Sequence, residues 1–127
     1  MHVIIVRHAK AHPGSPDELR QLTASGRQAA NLLGEVLAER RPEAIISSPL
    51  RRAVETAEAI AAACGLDPVV DARLSPGATL EGLRAAVDGR GEIVITVGHQ
   101  PDCSQIVLEL TGREVSFPTA GYAEVEL

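Results

Sequence analysis

The sequence predicts an α/β domain in three layers, with a mainly parallel sheet of about five strands, an antiparallel edge strand and helices on both faces. Three observations predict it. Short β-branched runs alternate with segments of helical apolar spacing along the whole chain. The run Ile93-Val94-Ile95-Thr96-Val97 has no polar interruption beyond one threonine, as in strands covered on both faces of a parallel sheet. The last run alternates instead, with Tyr122, Glu124 and Glu126 against Ala123, Val125 and Leu127, the pattern of an edge strand with one wet face.

The elements follow in order. His2 to Val6 is a short β-branched run that reads as a buried strand and stops at Arg7. Two prolines and a glycine between Lys10 and Asp17 make the next stretch a loop. Thr23 is a plausible N-cap for a helix to Glu39, with Ala30, Leu33, Val36 and Leu37 at helical spacing. Glu43 to Ser47 is a second strand. Pro49 then stands where a helix begins, with Ala53, Ala57, Ile60, Ala61 and Cys64 on one face and Gly65 as its stop. Pro68 to Val70 is a brief third strand, and Leu80, Leu83 and Val87 mark a third helix ending near Gly89. Glu92 to Val97 is the clearest strand. Cys103, Ile106, Val107 and Leu110 form a fourth helical face closed by Gly112, and Ala120 to Leu127 is the final strand.

A chain of 127 residues fits one domain over 1–127, since domains most often hold about 100–150 residues. With 45% apolar and 23% charged residues it is an ordinary globular composition whose core is aliphatic, with Phe117 and Tyr122 as the only rings. The net charge of −5 speaks against general binding to nucleic acid or an acidic membrane, so any anion must be met by local positive charge. The apolar start before Arg7 is far shorter than a membrane span of about 20 residues, and a cytoplasmic location is expected. Cys64 and Cys103 lack CxxC or metal-ligand spacing and read as buried free thiols.

Parallel sheets bind ligands at the carboxyl ends of their strands. Three predicted strands end in polar clusters: Arg7-His8, Ser47-Ser48 running into Arg51-Arg52, and Gly98-His99-Gln100. Two histidines and two or three arginines are expected to converge there. Phosphoryl transfer needs a nucleophile in line with the leaving group and positive charge around the equatorial oxygens. Arg and His supply both. His8 can attack through one ring nitrogen while the other donates to a carbonyl, and neighbouring arginines disfavour its protonated form. His8 and His12 at i, i+4 suggest a metal pair, but Pro13 denies the helix that spacing requires. His2 and His12 therefore read as surface residues. A Cys-x5-Arg phosphatase would need arginine where Val70 and Glu109 stand, and neither a P-loop nor a G-x-S-x-G elbow is present.

Arg7-His8-Ala9 after the first strand, Ser48-Pro49-Leu50-Arg51-Arg52-Ala53 with Thr56-Ala57, and Val97-Gly98-His99 together resemble the histidine phosphatase superfamily. Its small bacterial branch, the SixA-like phosphohistidine phosphatases, looks most similar. Asp17, Arg20, Leu22, Thr23 and Gly26 look like that branch's D-x-x-R-x-L-T-x-x-G segment. The resemblance implies a phosphoglycerate mutase-like fold and a hydrolase that passes a phosphoryl group through phosphohistidine, with no metal and no cofactor. It implies His8 as the phosphorylated residue, Arg7 and Arg52 as phosphate clamps and His99 as the second pocket histidine. The resemblance prefers Arg52 to Arg51, because the family's arginine directly precedes Ala and lies four residues before Thr, as Arg52 does relative to Ala53 and Thr56. Arg20 and Gln100 are expected to bind substrate.

Larger members carry an acid that protonates a poor leaving group, and Leu74 to Glu81 offers no convincing counterpart. Asp17 and Glu81 are the fallback candidates. Asp102 is unusual beside His99, since a carboxylate there can repel a dianionic substrate. The favoured substrate is phosphohistidine in a signalling protein. The alternatives are a small phosphate ester, a mutase, and a non-catalytic module that keeps the pocket for phosphorylated ligands.

Overall fold

β-Branched side chains are stiff at χ1 and pack well on a pleated surface, which makes Val3, Ile4, Ile5 and Val6 a strand. In the computed structural model, which describes residues 1–127, they lie in β1 (His2–Arg7). Five strands form one mixed sheet. β1 pairs in parallel with β4 (Ile93–Gly98) and antiparallel with β5 (Tyr122–Glu126). β4 pairs in parallel with β2 (Ala44–Ser47), and β2 with the two-residue β3 (Val69–Val70). The order is β3-β2-β4-β1-β5, so β5 is the antiparallel edge that its alternation predicts.

The two-residue period of β1 divides the core. Val3 and Ile5 join Leu83, Ala86 and Val87 of α3 (Leu80–Val87) and Cys103, Ile106 and Val107 of α4 (Asp102–Thr111). Ile4 and Val6 join Leu33 and Leu37 of α1 (Ala24–Ala38) and Ala53, Ala57, Ile60 and Ala61 of α2 (Arg51–Cys64). Three layers result, and each fully buried Ile or Leu contributes about 1.5–3 kcal/mol. The α1 and α2 backbones approach closely, because a Cβ on Gly34 would stand 3.0 Å from both the Ala63 Cβ and the Ile60 Cα.

Several boundaries differ from expectation for local reasons. The Thr23 hydroxyl does cap α1, accepting from the Gly26 N–H at 2.9 Å. α2 starts at Arg51 rather than at Pro49, because Leu50 is extended and its N–H turns back onto the Ser48 hydroxyl at 3.2 Å. β5 starts at Tyr122 rather than Ala120. Ala120 is left-handed (φ 59°), and its N–H is shared by the carbonyls of Arg7 and His8, each at 3.1 Å. Tyr122 lies on the wet face of β5, 47% exposed, as its alternation with Glu124 and Glu126 predicts, so of the two rings counted with the core only Phe117 is buried there. Cys103 is buried, which pushes its thiol up to about 12, whereas Cys64 is only half-buried. No helix is long and apolar enough to cross a membrane.

Candidate active site

Because β2, β4 and β1 are parallel neighbours, the residues following them emerge at one edge of the sheet. The ladder runs one step beyond the strands: the Ser48 N–H donates to Val97 O and the His8 N–H to Gly98 O, both at 3.0 Å. This brings His8, Ser48 and His99 together. The rings of His8 and His99 are 5.3 Å apart, centroid to centroid, and both residues are buried. Thr56 joins the third strand end to this pair. Its hydroxyl donates to Arg52 O at 2.7 Å and accepts from the Ala9 N–H at 3.0 Å, tying the first turns of α2 to the residue after His8.

His8 Nδ1 lies 2.7 Å from Ala9 O. A carbonyl only accepts, so Nδ1 carries the proton and the neutral ring presents its lone pair at Nε2. Burial lowers the His8 pKa below its ordinary value; the bond to Ala9 opposes this, and the charges of Arg52, Arg7 and Arg20 reinforce it. His99 is pushed further, to about 4, by burial first and then by His8 and Arg52. Its Nε2 is 2.7 Å from the Ser48 hydroxyl, which sets the ring's orientation. Both histidines are therefore neutral at pH 7.

Arg7 and Arg52 stand around this pair. Arg7 is fixed by a bond from its NH1 to Phe117 O at 2.9 Å. Arg52, on the first turn of α2, is buried, while its neighbour Arg51 is exposed and pairs with Glu55 at i, i+4. Arg52 is thus the inward arginine, as the family resemblance implies. Arg7 Nε, Arg52 Nε and His99 Nδ1 are buried polar atoms with no protein partner. Leaving such an atom unpaired costs about 1–3 kcal/mol, so three in one cluster suit a ligand with several oxygen acceptors.

Arg20 joins the cluster through Asp17. Its NH1 donates to Asp17 Oδ1 at 2.9 Å and its Nε to His12 O at 2.6 Å, while Arg52 donates from NH2 to Asp17 Oδ2 at 3.2 Å. The hydrogen bond from Arg20, with the Arg52 charge behind it, holds the Asp17 carboxyl below the usual carboxylate range. A carboxyl in that setting is ionised at neutral pH and is a poor proton donor. Glu81 is exposed in the first turn of α3 and makes no hydrogen bond or ion pair with the cluster.

Two other expectations are corrected. Gln100 turns away from the histidines: its Nε2 donates to the Ser104 hydroxyl at 2.7 Å and its Oε1 accepts the Ser104 N–H at 2.9 Å, so both amide atoms secure the start of α4. The Asp102 carboxylate is engaged within the protein instead. It is buried, and its Oδ2 accepts from the N–H groups of Gly77 and Ala78 at 2.9 and 3.2 Å, anchoring the loop before α3. Sequence reasoning missed Ser48 and Thr56 as site residues, although both lie inside the motif that located Arg52. No group of three or more His, Cys, Asp or Glu side chains is arranged to hold a metal ion.

The family model of the histidine phosphatase superfamily (branch 1) matches residues 3–87, a stretch that contains Arg7, His8 and Arg52. An uncharacterized protein of Picosynechococcus is 35% identical over 116 residues, covering 80% of this chain and 68% of that protein. The protein histidine phosphatase SixA complexed with tungstate superposes with a TM-score of 0.88 at 28% identity, over 100% of this chain and 88% of the other. An Agrobacterium tumefaciens protein assigned as a SixA phosphohistidine phosphatase gives 0.83 at 29% identity, over 97% and 89%. A mycobacterial glucosyl-3-phosphoglycerate phosphatase shares the fold, with a TM-score of 0.77 at 19% identity over 98% of this chain and 89% of that one. The chain belongs to the histidine phosphatase superfamily, on its SixA-like branch.

Proposed function

We propose that this protein hydrolyses phosphohistidine in a protein substrate through a phosphohistidine at its own His8, with Arg7 and Arg52 clamping the phosphoryl oxygens and His99 beside them. The observation that carries the chemistry is the bond from His8 Nδ1 to Ala9 O, which leaves the Nε2 lone pair free in a ring held neutral. Nε2 attacks phosphorus, a P–N bond forms, and the bond to the leaving group breaks with its electron pair on that group. Water then attacks phosphorus, the pair of the P–N bond returns to Nε2, and neutral His8 and dihydrogen phosphate remain.

Proton balance supports the substrate class. A phosphohistidine whose other ring nitrogen is protonated leaves as neutral imidazole, so exchange with His8 needs no added proton. An alkoxide leaving group does need one. The carboxylate nearest the arginines, Asp17, is held ionised by Arg20 and Arg52 and is ill suited to give it. The reaction as written also requires no metal.

The test compares kcat/KM on a phosphohistidine peptide, a phosphoserine peptide and p-nitrophenyl phosphate, with and without a chelator. The expected result is a clear preference for the phosphohistidine peptide, unchanged by chelation. Quenching during turnover of labelled substrate should trap acid-labile, base-stable label on His8. A phosphoserine peptide or p-nitrophenyl phosphate turned over equally well overturns the substrate assignment, and a fully active His8→Ala variant overturns the mechanism.

A further inference from the structure

We propose that Asp17 is a specificity-setting residue: its carboxylate competes with the phosphoryl group for Arg20 and Arg52 and so sets how tightly the pocket holds phosphate, whether on a substrate or as product. The proposal rests on the reading of the His8 pocket as a phosphate site.

Asp17 opens a short 3-10 turn, Asp17–Leu19, in the loop between β1 and α1. Both terminal nitrogens of Arg52 lie on this one residue, NH1 on its carbonyl at 3.0 Å and NH2 on Oδ2 at 3.2 Å. The other carboxylate oxygen, Oδ1, takes NH1 of Arg20 at 2.9 Å. A carboxylate offers guanidinium groups the same pair of oxygens that a phosphoryl group offers. The side chain of Arg52 is 8% exposed and that of Asp17 is 59% exposed. The arginine is therefore held by the protein, and the carboxylate is the partner free to swing into water.

Two anions on one arginine pair repel, so an arriving phosphoryl group displaces the carboxylate. The penalty falls on product phosphate as on any phosphate dianion, which weakens its binding and favours its release. It also discriminates by charge. A phosphohistidine ring carries a cationic N–H beside its phosphoryl group, which offsets a nearby carboxylate. A phosphoserine dianion has no such offset and bears the full repulsion.

The experiment is calorimetric titration of the wild-type chain, Asp17→Asn and Asp17→Glu with orthophosphate, alongside KM for phosphohistidine and phosphoserine peptides. Exposed ion pairs of this kind are weak, so Asp17→Asn should bind orthophosphate roughly three- to tenfold more tightly. Asp17→Glu, which keeps the charge, should return toward wild-type affinity, and the fall in KM on Asp17→Asn should be larger for phosphoserine than for phosphohistidine. Orthophosphate binding in Asp17→Asn as weak as in the wild type, or weaker, overturns the proposal and makes Asp17 a support for the arginines. Orthophosphate failing to bind the wild-type chain overturns the pocket reading itself, and this proposal with it.

Discussion

Acid should unfold this protein through its histidines before its carboxylates. His99 has a folded pKa of about 4 against an ordinary 6.5, with burial as the largest cause. The unfolded chain takes up a proton on that ring below about pH 6.5, whereas the native chain resists it until about pH 4. The contribution is therefore complete above 6.5 and lost as pH falls through this window. At about 1.4 kcal/mol per pH unit the loss reaches at most about 3 kcal/mol. His8, also lowered, adds a smaller loss of the same sign. Asp17 and Asp71 are lowered from 3.8, and Glu55 and Glu124 from 4.5, so their contributions are lost only at lower pH. Urea unfolding between about pH 7 and about pH 5.5 isolates the histidines, because carboxylates stay ionised in both states there. The wild-type unfolding free energy should fall across it, and His99→Gln should remove the larger share of the slope. Saturating orthophosphate should also flatten it, since an anion beside His99 stabilises the protonated ring. A flat wild-type profile, or an undiminished slope in His99→Gln, refutes the reasoning.

Three further outcomes are expected. Arg52→Lys keeps the charge but loses the fork that spans two oxygens, and kcat/KM on a phosphohistidine peptide should fall about 100-fold. Ser48→Ala removes the partner of a buried ring nitrogen of His99, and chemical denaturation should show a loss of about 1–3 kcal/mol. Gly26→Ala separates helix propensity from tertiary contact. Propensity alone favours alanine in a helix by about 1 kcal/mol. A Cβ on Gly26 collides with the backbone carbonyl of Lys10, which already accepts the Thr23 N–H at 3.0 Å. A net loss of about 1–3 kcal/mol in the unfolding free energy is therefore expected.

The strands and helices were legible because burial imposes a period. Val3 to Val6 and Ile93 to Val97 are buried on both faces of the sheet and read as continuous apolar runs, while β5 alternates because one face is wet. The inward arginine was legible from the family resemblance, in which the arginine directly precedes Ala and lies four residues before Thr, and the structure buries Arg52 together with Thr56. Gln100 and Asp102 were misread because adjacency to His99 in the chain says nothing about where a side chain turns. Gln100 turns onto Ser104 in the first turn of α4, and Asp102 reaches back 25 residues to Gly77.

By itself the sequence determined the order of elements, the parallel sheet with its antiparallel edge, and the gathering of Arg7-His8, Arg51-Arg52 and His99 at one end. Those follow from hydrophobic period and from the rule that parallel strands share a carboxyl edge. Only the tertiary structure decided which nitrogen of His8 is free, that Ser48 orients His99, and that Asp17 lies on Arg20 and Arg52. Each of these depends on a hydrogen bond of about 3 Å, and such contacts are set by side-chain direction and packing rather than by the pattern of residues along the chain.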